Sequence, residues 1–133
     1  MGLFNSNKKV YVVKYLGGHP EILKEGAANL ILEPDKVIIS IPFKGKYELA
    51  YNEITMEQQT HEQISKNITL GRILLVGVFA LAWKKKSVDR TGYITIRYMD
   101  KDIGEVEIIL KHDKPGEVLS NFLAFKKKVA AIV

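Results

Sequence analysis

The stretch Ile68–Lys86, ITLGRILLVGVFALAWKKK, constrains this chain more than any other, because its run from Ile73 to Trp83 contains no polar side chain. A bilayer-spanning helix takes roughly 20 apolar residues. Arg72 on one side and Lys84, Lys85 and Lys86 on the other stop the run short of that length. An amphipathic surface helix needs a polar face, and Ile73 to Trp83 offers none. What remains is a buried core segment. Periodicity cannot separate helix from strand in a uniformly apolar run, so the state of Ile68 to Gly77 stays open, with Gly77 marking a change of conformation.

A chain of 133 residues can bury one core without staples, and we read residues 1–9 as a tail and 10–133 as a single domain. There is no cysteine, which excludes a disulfide framework, thiolate metal sites and thiol catalysis. The start, MGLFNSNKK, has no apolar segment of a secretory signal, so the expected compartment is the cytoplasm. The 20 Lys and Arg outnumber the 15 Asp and Glu, for a net charge of +5. Lysines cluster at Lys8 and Lys9, at Lys84 to Lys86 and at Lys126 to Lys128. Such clusters attract anionic lipid headgroups or nucleic acid, although a solvated face is the plainer reading.

Alternation of apolar and polar residues marks the strands. Val10 to Leu16 sets Val10 and Val12 against Tyr11, Val13 and Tyr15, and Gly17, Gly18 and Pro20 end it. Ala28, Leu30 and Leu32 share one face. A turn at Glu33, Pro34, Asp35 and Lys36 then returns the chain along Val37 to Phe43 as a hairpin. After Lys44 to Lys46, Tyr47, Leu49 and Tyr51 alternate with Glu48 and Ala50, and Ile54 and Met56 continue in short strands. The polar stretch Gln58 to Asn67 lacks an apolar stripe and reads as a long surface loop. Ile94, Ile96 and Tyr98 pair across a turn at Asp100 to Gly104 with Val106, Ile108 and Leu110, so Ile96 and Ile108 should point into one core. From Pro115 the period changes: Val118, Phe122, Phe125, Val129 and Ile132 form a helical stripe that should pack Phe122 and Phe125 on a sheet. Lys126 to Lys128 near its C-terminal end suit the helix dipole.

Catalytic motifs fail residue by residue. His61 and Glu62 open a zincin-like pattern, but Ser65 stands where the second histidine must be. His19, His61 and His112 are scattered, which fits exposed or hydrogen-bonded loop histidines better than ligands. Gly17 and Gly18 lack the spacing of a phosphate loop, and alternation puts Glu105 and Glu107 together on the solvent face of a hairpin. No enzyme activity, metal or cofactor is expected.

Short antiparallel strands followed by one helix indicate a small barrel or split sandwich of about seven strands, mainly β, capped by a C-terminal helix. The run TLGRILLVGVFALAWKKK, followed by YITIRYMD and an acidic turn, resembles the PH-like (pleckstrin-homology-like) domains of bacterial and phage proteins, near the GRAM type, over Val10 to Val133. The resemblance implies a seven-stranded bent barrel capped by the helix, and binding rather than catalysis. Eukaryotic members that bind phosphoinositides use a basic pattern on the first two strands and their loop. Here that region carries Lys14 and Lys24, with Glu21 and Glu25 on either side of Lys24.

Two functional readings follow. The favoured one is a module for protein contact or self-association through exposed sheet edges. The other is a peripheral binder of anionic membrane lipid, or less readily of nucleic acid, through Lys84, Lys85, Lys86, Arg72, Lys14 and Lys24.

Overall fold

Alternation carries through from sequence to sheet. The computed structural model describes residues 8–22, 25–42, 44–69 and 92–132. Within them run seven strands: β1 (Lys9–Gly17), β2 (Gly26–Leu32), β3 (Val37–Ile41), β4 (Gly45–Leu49), β5 (Ile54–Gln59), β6 (Gly92–Asp100) and β7 (Gly104–His112). All pair antiparallel in the order β4-β3-β2-β1-β7-β6-β5, so two meanders join where β7 lies beside β1. The sheet curls into a half-barrel, with α1 (His61–Thr69) after β5 and α2 (Pro115–Ile132) at the C-terminus. This is the mainly β architecture with a C-terminal helix that the sequence indicates. No helix among the described residues is long and apolar enough to cross a membrane. The segment Ile73 to Trp83 lies outside the described residues.

Period-two placement decides which side chains fill the curl. On β1, Tyr11, Val13 and Tyr15 are buried, while Val10 and Val12 stand exposed at 53% and 70%. The β2–β3 hairpin pairs Leu32 with Val37 and closes with the Glu33 N–H donating to the Lys36 carbonyl. Strand β3 ends at Ile41, and Phe43 is not among the described residues. Ile96 lies opposite Ile108 in β6–β7 and both are buried in the core. Asp100 holds that hairpin's turn, its Oδ1 accepting from the Asp102 and Ile103 N–H groups at 2.8 and 3.2 Å.

Helix α2 lays Val118, Phe122 and Phe125 into the core. Tyr51, in a 3-10 turn (Tyr51–Glu53) between β4 and β5, packs against both phenylalanine rings and donates its hydroxyl to the Glu33 carbonyl. Asn121 adds a hydrogen bond to the Tyr11 hydroxyl. The helix thus covers the end of the sheet where the β2–β3 turn lies.

Three expectations change. The polar stretch Gln58 to Asn67 is no loop: Gln58 and Gln59 extend β5, and α1 starts behind a reciprocal cap. Thr60 Oγ1 accepts from the Gln63 N–H at 3.2 Å, and Gln63 Oε1 accepts from the Thr60 N–H at 2.8 Å. Ile64, the one apolar residue of that stretch, is completely buried. Glu105 and Glu107 do not share an environment: Glu105 is exposed, whereas Glu107 is 6% exposed. Strand parity sets the face but not what covers it. Finally, α2 runs on to Ile132, so its last turn holds no basic residue and the dipole account of Lys126 to Lys128 fails. Lys126 and Lys128 instead lie over the Phe122 and Phe125 rings at 5.7 and 6.0 Å.

Candidate functional site

The end of the sheet opposite the β2–β3 turn is closed by the β1–β2 loop, the β3–β4 turn and the β6–β7 hairpin. Gly18 sets the loop's path. Its φ is +108°, and a Cβ there would fall 2.0 Å from the Glu107 carbonyl oxygen and 2.8 Å from the Ile108 Cα. Only glycine lets the chain leave β1 pressed against β7, with a register shift between Tyr15 and Gly17. That path drives His19 inward to 4% exposure.

Tyr15 ties the loop down. Its hydroxyl accepts from the His19 N–H at 3.0 Å and donates to the Ile22 carbonyl at 2.8 Å. The His19 ring packs on Tyr47 of β4, with centroids 5.4 Å apart and planes at 47°. Its Nδ1 accepts from the Glu21 N–H at 3.0 Å, which assigns the ring proton to Nε2, a buried donor without a hydrogen-bond partner among the described residues. An imidazole so held is neither a base at Nδ1 nor one at Nε2.

Electrostatics reinforce the neutral state. Burial lowers the His19 pKa, against the opposing pull of Glu21 and Asp100. Burial pushes Tyr15 and Tyr98 up to about 12, and raises Tyr47 as well. This end therefore presents uncharged rings behind an acidic rim. Next to it a cleft of about 340 Å³ is lined by Tyr15, Ile22, Ala27, Ile41 and Pro42, with Glu25 and Lys44 of opposite charge at its edges. Its lining suits an apolar side chain better than a phosphate.

Of the basic residues singled out in the sequence as binding an anionic surface, Lys14 alone is among the described residues. Lys14 is exposed on β1 and pairs with Glu25 at 3.9 Å, so its charge is locally matched. Lys24, Arg72, Lys84, Lys85 and Lys86 lie outside the described residues. Of the histidines, His19 and His112 are hydrogen-bonded near their own chain turns, His112 Nδ1 accepting from the Lys114 N–H at 2.9 Å. His61 sits at the start of α1 rather than in a loop. No group of His, Asp and Glu among the described residues could hold a metal ion.

The two outer strands differ. Among the described residues β5 pairs only with β6, and α2 reaches its first residue, Lys126 Nζ donating to the Ile54 carbonyl at 3.3 Å. β4 pairs, among the described residues, only with β3, with Gly45, Lys46 and Glu48 exposed and Tyr47 and Leu49 half-buried. Among the described residues nothing pairs with its outer side. The string Gly17-Gly18-His19-Pro20 was the sequence signal for the buried histidine; the free edge has no such signal, because it depends on strand order. No protein-family profile and no curated protein sequence matches the chain.

Proposed function

We propose that this chain is a non-catalytic binding or assembly module of PH-like type that works by protein–protein contact. The observation that carries this is β4, the outer strand with three of its five residues exposed, beyond which no further strand lies among the described residues, an edge that suits the addition of a strand. The order of the seven strands and the covering C-terminal helix support the PH-like reading. The polar groups at the His19 end hold loops and turns, which favours a scaffold over a reaction centre. Opposite charges at the neighbouring cleft, and the pairing of Lys14 with Glu25, favour a polypeptide partner over an anionic headgroup.

A photoreactive amino acid placed at position 48 tests this, with the same probe at the exposed position 127 of α2 as control. The expected result is covalent adduct to polypeptide from position 48 and not from position 127. A position-48 probe that captures no polypeptide overturns the reading. So does salt-sensitive sedimentation with acidic vesicles as the sole interaction, which would install the anionic-surface alternative.

A further inference from the structure

We propose that the partner of β4 is a second copy of this chain, joined antiparallel about Tyr47 so that the sheet continues across a twofold axis. The proposal rests on the protein-contact reading and names its partner. Its ground is that the strand Gly45-Lys46-Tyr47-Glu48-Leu49 complements itself. With Tyr47 opposite Tyr47 of the second copy, Lys46 falls opposite Glu48 of the second copy, and Glu48 opposite its Lys46. All four charges lie on one face, since Lys46 and Glu48 are two apart in a strand. Cross-strand pairs of opposite charge and aromatic pairs are favourable in an antiparallel register, whereas like charges directly opposite are not. On the other face each Leu49 meets Gly45 of the second copy, which has no side chain to crowd it.

Natural sheets blunt an edge with charge of one sign, usually lysine, so that two copies repel. β4 carries both signs in mirror order about its centre, and repulsion becomes attraction. Glu48 already accepts from Lys36 Nζ at 3.3 Å, leaving its second carboxylate oxygen for the incoming Lys46. At the β5 edge, by contrast, Lys126 already occupies the first carbonyl.

A five-residue strand pairing is small beside the roughly 1,200 Å² of a stable interface, so the dimer forms reversibly with concentration. Sedimentation velocity from about 10 μM to about 1 mM should show a monomer passing into a dimer. Lys46→Glu and Glu48→Lys, each alone, should weaken association at least about tenfold while leaving the monomer's melting temperature near that of the parent. An equimolar mixture of the two variants should associate again, since carboxylates on one strand then face lysines on the other, and the double exchange in one chain should also recover it. A parent chain that stays monomeric at the highest concentration, or single variants that associate as the parent does, overturns the proposal. If a variant fails to fold, a photoreactive probe at the exposed position 44, which leaves Lys46 and Glu48 in place, decides: adduct to a copy of the chain supports self-pairing, and adduct to a different protein alone overturns it while leaving the protein-contact reading intact.

Discussion

The two ends of the β1–β4 half of the sheet are closed by opposite means. At the β2–β3 end a helix seals the core with Phe122 and Phe125 packed on Tyr51, whose remaining polar atom is satisfied by the Glu33 carbonyl. At the other end no helix intervenes among the described residues, and a loop folds in His19, Tyr15 and Tyr47 with a donor left unmatched. The first end is stabilised by apolar area, which tolerates changes of pH. The second is held by a few hydrogen bonds, one glycine and a buried imidazole, and the imidazole makes it sensitive to pH.

The largest expected effect is at the helix-covered end. Phe122→Ala should cost about 3 to 5 kcal/mol in urea denaturation, the usual range for emptying a buried aromatic site. A loss under about 1 kcal/mol would mean that α2 does not seal the core.

At the loop end, Gly18→Ala should cost roughly 2 to 5 kcal/mol, combining a left-handed backbone with a side chain forced into the Glu107 carbonyl. A near-neutral result would place the loop away from β7. Tyr15→Phe keeps the ring and removes the hydroxyl that joins the His19 N–H to the Ile22 carbonyl. It should cost about 1 to 3 kcal/mol, because two buried backbone groups lose their partner.

The smallest effect separates the two ends by pH. The His19 pKa is lowered in the folded chain, so its contribution to stability is complete above the unfolded value of about 6.5 and is lost as pH falls through the folded value. Urea midpoints should therefore drop between neutral pH and pH 5 by more in the parent than in His19→Gln. Equal slopes would show that the imidazole is not held neutral by burial.

Strands, hairpins and the C-terminal helix were legible because periodicity fixes which face is buried: Ile96, Ile108, Phe122 and Phe125 all lie where their spacing puts them. Helix α1 was missed because Ile64 is the one apolar residue of Gln58 to Asn67 and makes no stripe there; the Thr60 and Gln63 cap was the available signal. Glu107 was misplaced because alternation reports the face of a strand and not whether other chain packs over it. The candidate site was the least legible. Burial of His19 follows from one φ angle at Gly18, and the free edge of β4 from a strand order that no local pattern specifies.

Hydrogen exchange of the β4 amides, followed as protein concentration rises, tests the central claim most directly. The account predicts that exchange slows with concentration at Lys46 to Glu48 and that β5 is unchanged. Exchange at β4 that is independent of concentration while the protein demonstrably self-associates, or slowing confined to β5, would contradict it.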